Sequence, residues 1–181
     1  LHRLGTDIPE ESMESGKIET IFPLIANTKW KVLALTCTNS GVPESTEGRL
    51  AIFEQIRTAA KEYGISEDRL LIDPIVHTLS TDEHALSTFA ACAKEIRARS
   101  NGAHVVSGLS NISFGLPSRP VINHAFLTLA MQAGMNAAIM DVLDREMVGL
   151  LYATNALLGE DEYCIDYITA FREGKFGVKK N

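Results

Sequence analysis

Cysteine is scarce in this chain: Cys37, Cys92 and Cys164 are the only three in 181 residues, widely spaced and without a Cys-x-x-Cys pair. An odd, scattered set argues against a disulfide framework and a structural zinc centre, and it fits a reducing cytoplasm. Concentrated positive charge is missing as well. Lys and Arg number 17 against 23 Asp and Glu, the net charge is −6, and no basic cluster exceeds Lys179-Lys180. A nucleic-acid groove needs a concentrated positive footprint, so nucleic acid is not expected as a partner. No apolar run reaches membrane-spanning length, and the amino terminus carries Asp7, Glu10 and Glu11 where a signal peptide would place basic and then apolar residues. An unexported protein without a membrane span is expected. His77, His84, His104 and His124 do not form a His-x-x-x-His pair, so no metal is assigned.

What is present is a core. The chain is 45% hydrophobic and has the length of one domain, taken as residues 1–181, with Leu1 to Ser15 read as irregular because it holds Gly5 and Pro9 and shows no helical or strand period. Ile18, Ile21, Phe22, Leu24 and Ile25 predict a short amphipathic helix, and Lys31 to Leu35 a strand. Glu44 to Tyr63 reads as a helix with Leu50, Phe53, Ile56 and Ala60 on one stripe and Gly64 at its end. Leu70 to Ile72 predicts a strand ending at Asp73-Pro74, and Thr81 can cap a helix over Asp82 to Arg99 with Leu86, Phe89, Ala90, Ala93 and Ile96 buried. Ala137 to Met140 predicts a last strand, ending at Asp141, which could face a site or cap the next helix. Helices over Asp144 to Leu158 and Glu160 to Glu173 follow. Met131, Met135, Met140 and Met147, irregularly spaced, read as core filler.

Between these lies the most informative stretch, His104 to Phe126. His104-Val105-Val106 suits a buried parallel strand, Gly108 to Gly115 a polar loop, and Pro117-Ser118-Arg119-Pro120 a helix start, with Val121, Ile122, Ala125, Phe126 and Leu129 at helical spacing. Strand then helix recurs about every 35 residues, the spacing of parallel β/α units. The fold class expected is therefore α/β with a parallel sheet. In a β/α barrel, ligands sit on the loops at the carboxyl ends of the strands, where Ser110, Asn111, Ser113 and Arg119 fall.

Gly-Leu-Ser-Asn-Ile-Ser-Phe-Gly-Leu-Pro-Ser-Arg-Pro, from Gly108, resembles the seventh-strand signature of the pterin-binding methyltransferases that use methyltetrahydrofolate. That family includes the methyltetrahydrofolate:corrinoid protein methyltransferases and the folate domain of cobalamin-dependent methionine synthase, and is related to dihydropteroate synthase. The resemblance extends from about Met13 to about Phe176. It implies a TIM barrel of which about four units, strands five to eight of eight, are present. It also implies transfer of the N5-methyl group of methyltetrahydrofolate to the cobalt of a corrinoid (cobalamin) protein partner, and a homodimeric complete protein.

By the resemblance, Asn111 hydrogen-bonds the pterin near N5 and is the catalytic candidate; its amide offers both a donor and an acceptor. Asp73 corresponds to a pterin-binding Asp-Pro of the sixth strand, where a carboxylate can accept two parallel hydrogen bonds. Gly108 lets a flat ligand or a neighbouring strand approach its backbone, and Gly115 can permit a positive φ. Ser110 and Ser113 offer hydroxyl contacts or satisfy loop backbone; Arg119 holds the pterin, meets a partner's acidic surface or is a solvated charge; Asn39 is a further pocket candidate. Relatives carry a pterin-binding Asp on the third strand and an Asn on the fourth; the former has no counterpart here, and the latter's place reads Glu10-Glu11-Ser12. Two alternatives accompany this reading: a non-catalytic pterin-binding or scaffold half-barrel, and an enzyme like dihydropteroate synthase.

Overall fold

The computed structural model describes residues 2–5, as backbone, and residues 17–177. Five strands, β1 (His2–Gly5), β2 (Val32–Leu35), β3 (Leu70–Asp73), β4 (His104–Gly108) and β5 (Ala137–Ile139), form one sheet in chain order, every neighbouring pair parallel. Six helices connect or follow them: α1 (Lys17–Ile25), α2 (Thr46–Glu62), α3 (Ala85–Arg99), α4 (Arg119–Gln132), α5 (Arg145–Leu157) and α6 (Ile165–Arg172). Parallel strands that succeed one another in sequence and in space, joined by crossovers of one hand, carry their helices on a single face. Burial bears this out: Val32, Ala34, Leu70, Ile72 and Val105 join the buried faces of the helices in one core. The alternate positions Leu33, Leu35, Leu71, Asp73, Val106 and Gly108 belong to the other face, hereafter the inner face.

The α2 boundaries follow from capping. Ser45 accepts the Gly48 N–H at 3.1 Å, and at the far end Gly64, at φ 67°, lets the N–H groups of Gly64 and Ile65 return to the carbonyls of Lys61 and Ala60. Leu50, Phe53, Ile56 and Ala60 are buried as expected, as are Phe89, Ala93 and Ile96 of α3. Met131, Met135 and Met147 fill the core. At the carboxyl end Phe176 stacks on Tyr152 and meets Tyr167 and Phe171, so α5 and α6 close around an aromatic cluster.

Several expectations need correction. His2–Gly5, read as irregular, is a strand: its backbone pairs with β2 in register, His2 beside Val32 and Gly5 beside Leu35. Pairing with a buried neighbour overrides a weak local signal. The strand that the Lys31 to Leu35 pattern marks is thus interior to the sheet. Glu10-Glu11-Ser12 lies outside the described residues. Thr81 does not cap α3; its hydroxyl returns to the Thr78 carbonyl at 3.4 Å, and the helix begins only at Ala85. On α4, Phe126, Leu127, Ala130 and Met131 are buried while Val121 and Leu129 are exposed. The helix is apolar on much of its circumference, so packing against α3 and α5 selects the face that periodicity leaves open. Leu24 is likewise exposed on α1. No helix among the described residues is long and apolar enough to cross a membrane.

Candidate functional site

The registers line up one end of the inner face. Leu35 lies beside Asp73, Ile72 beside Val105, and Gly108 beside Ile139, so β2 through β5 present their carboxyl ends together. Asp73, the last residue of β3, is 4% exposed. Its Oδ1 accepts the Ile75 N–H at 2.8 Å, and its carbonyl accepts the Thr36 N–H at 3.0 Å. A carboxylate at such depth persists only with hydrogen-bond donors around it. Ile75 itself sits at φ 59°. For a β-branched residue that conformation costs of the order of 1–3 kcal/mol, a local strain of the kind that collects at functional sites.

On the next strand the chain turns from Gly108 into a single 3-10 turn, Leu109–Asn111. A Cβ on Gly108 would stand 3.5 Å from Asn111 Nδ2, so the Asn111 amide lies over the position where a side chain at 108 would project. Gly108 thus gives Asn111 a place on the inner face, and Asn111 is exposed there. The two residues the sequence singled out on β3 and β4 are brought to the same end of adjacent strands.

The loop around Asn111 is held from three directions. Ser113 is fully buried; its hydroxyl donates to the Ser110 carbonyl at 3.3 Å and accepts from Arg119 Nε at 3.0 Å. Arg119 Nη2 donates to the Ser110 carbonyl at 2.7 Å, and the guanidinium lies 5.9 Å from the Phe114 ring centre. Across the gap from β3, Thr78 and Ser80 donate their hydroxyls to the Phe114 carbonyl at 2.6 and 3.2 Å, and the Leu79 N–H reaches the Ile112 carbonyl at 3.0 Å. This brace explains why α3 starts late: residues 78–80 are committed to the neighbouring loop. Gly115 takes the positive φ expected of it, 79°. The contacts of Ser113 and Arg119 are therefore within the loop.

Asn39 is exposed in the turn closed by the Thr38 and Gly41 backbone pair, after β2 and at the same end of the sheet. Asp141 accepts the Leu143 N–H at 2.8 Å within its own turn, while Asp144 caps α5 through the N–H groups of Glu146 and Met147. The helix cap is therefore Asp144 and not Asp141. Among the described residues no group of His, Cys, Asp and Glu is arranged to hold a metal.

One residue beside the site escapes a reading by sequence. Arg49 is 2% exposed; its Nε donates to the Pro43 carbonyl at 2.8 Å and its Nη1 to the carbonyls of Pro74 and Ile75 at 3.0 and 2.7 Å. Burial pushes the guanidinium below its ordinary pKa, opposed by the nearby Cys92, Asp82 and Asp73. The signal was there in outline, since the stripe Phe53, Ile56 and Ala60 extends back one turn to position 49.

Known proteins resemble this chain in sequence. A family profile described as pterin binding enzyme matches residues 15–141. The chain is 42% identical to a methylcorrinoid:tetrahydrofolate methyltransferase of Eubacterium limosum over 168 residues, 92% of this chain and 62% of that protein. It is 31% identical to a methionine synthase of Mycobacterium tuberculosis over 65% of this chain and 10% of that protein, and 32% identical to one of Mycobacterium leprae over 70% and 11%. The chain thus spans less than two thirds of the length of these relatives. With the profile matching more than half of its residues, the chain belongs to the pterin binding enzyme family.

Proposed function

We propose that this chain forms the last five strands of an eight-stranded pterin-binding barrel, in an enzyme that moves a methyl group between N5 of tetrahydrofolate and the cobalt of a corrinoid protein. The sequence reading counts four strands, five to eight; β1 adds the fifth. The observation that carries the proposal is that Asp73 and the Gly108 and Asn111 pair stand at the carboxyl ends of adjacent strands. The name of the Eubacterium limosum relative runs the transfer toward tetrahydrofolate, whereas the resemblance drawn from sequence takes methyltetrahydrofolate as donor. One site serves both directions, because forward and reverse reactions share a transition state.

The residues fit a reduced pterin. The Asn111 amide, seated where a side chain at 108 would project, bonds at N5, and the Asp73 carboxylate accepts from the amino-pyrimidine edge. Asn111 matters most to rate: a tertiary amine leaves poorly, and a fixed polar group beside N5 meets the charge that changes there in the transition state. Ser110, Ser113 and Arg119 hold the Asn111 loop against the pterin, and Asn39 completes the rim. The corrinoid, carried by a partner protein, supplies the cobalt that gives or takes the methyl group. A homodimer and a cytoplasmic location belong to the same proposal; exposed Ile165, Ile168 and Phe171 on α6 support the first, and three free cysteines the second.

The test is methyl transfer by the complete protein, followed by absorbance of the corrinoid. With a methylated corrinoid protein and tetrahydrofolate the spectrum should change only when both are present, and methyltetrahydrofolate should reverse it. Binding of tetrahydrofolate without any transfer would leave a pterin-binding scaffold instead of an enzyme.

A further inference from the structure

Arg49 is a buried cation whose hydrogen bonds all end on main-chain carbonyls from two loops, Pro43 after β2, and Pro74 and Ile75 after β3. A buried charge is costly to retain, and a guanidinium commits its donors in a rigid fork. Here the fork closes on the residue with the least favourable backbone at the site. Ile75 is held at φ 59°, and from that conformation its N–H donates to Asp73 Oδ1 at 2.8 Å. The chain of contacts runs from Arg49 to the Pro74 and Ile75 carbonyls on either side of the Ile75 Cα, and from the Ile75 N–H to the Asp73 carboxylate.

We propose that Arg49 is a positioning residue for pterin recognition: by clamping the Pro74 and Ile75 carbonyls it keeps Ile75 left-handed, and the Ile75 N–H in turn fixes the orientation of the Asp73 carboxylate. The inference rests on Asp73 being the pterin's acceptor. It differs from a general packing role in one respect. What Arg49 maintains is a backbone conformation that an isoleucine resists and a glycine adopts freely.

The experiment is calorimetric titration of the complete protein with tetrahydrofolate, with circular dichroism as a check on folding. Arg49→Met, which removes the donors and the charge, should raise Kd by roughly tenfold. Arg49→Lys, keeping a cation and fewer well-placed donors, should raise it by about threefold. Ile75→Gly added to either variant should recover part of the lost affinity, an effect that mere loss of packing would not produce. A folded Arg49→Met protein with unchanged Kd would overturn the inference. If that variant does not fold, Arg49→Lys decides: a loss that Ile75→Gly relieves supports the clamp, and no loss, or a loss that Ile75→Gly leaves in place, overturns it. Failure of the unmodified protein to bind tetrahydrofolate would instead overturn the functional reading.

Discussion

In the proposed reaction Asp73 holds the substrate and Asn111 changes its reactivity, and substitution should separate the two. Asp73→Ala in the complete protein removes an acceptor and leaves pterin N–H groups buried without partners, so tetrahydrofolate binding should weaken by roughly 1–3 kcal/mol. Titration calorimetry gives the number; an unchanged Kd would reduce Asp73 to a turn residue. Asn111→Ala should lower the single-turnover rate of methyl transfer by a larger factor than it raises Kd, because its bond near N5 tightens as charge develops. Equal factors would make it a positioning group only. The strand-end positions of both residues were legible because each stands in a short local pattern, Asp-Pro after a strand and Gly-Leu-Ser-Asn in a loop. Arg49 was not: an arginine in a helix reads as a solvated charge, and the carbonyls that claim it lie at positions 43, 74 and 75.

Elements were read well where capping and a clean stripe agree, as in α2, and less well where tertiary contacts decide. Nothing in Thr81-Asp82 announces that residues 78–80 are already bound to Ile112 and Phe114 in a loop more than thirty positions away. The α5 start carries a testable consequence. Asp144 accepts the N–H groups of Glu146 and Met147 and also pairs with His124 Nε2 at 2.9 Å, and these backbone bonds, with the His124 bond, hold its carboxyl below the usual range. A carboxyl whose folded pKa is depressed contributes stability above its unfolded value, near 3.9, and loses it as pH falls through the folded value. Asp144→Ala should therefore cost about 1 kcal/mol at neutral pH, and the difference between the two proteins should shrink in acid. Urea denaturation at a series of pH values measures it; a pH-independent difference would assign the loss to something other than the charged cap.

For the molecule as a whole, the sequence conveyed a parallel α/β arrangement but miscounted its margin, because the four residues of β1 are too few to show a period and become a strand only by pairing. Among the described residues, β1 and β5 each have one strand neighbour, and Ile139, Val142 and Leu143 stand exposed at or after β5. Unpaired edges with apolar side chains promote association. The 181-residue chain by itself should sediment as concentration-dependent oligomers or melt without cooperativity. A monomer that unfolds in one sharp transition would count against its being part of a larger barrel.

The strict order of the sheet, each strand touching only its neighbours in sequence, makes it a one-dimensional array, with stability shared between units and the junctions between them. Such an array opens from its ends. Amide hydrogen exchange should be fastest in β1 and β5 and slowest in β3, which has two strands on either side; uniform protection would mean a single cooperative unit. The carboxylate at the end of β3 then belongs to the last part of the sheet to lose its structure, so a chain frayed at both margins would still keep its acceptor in place.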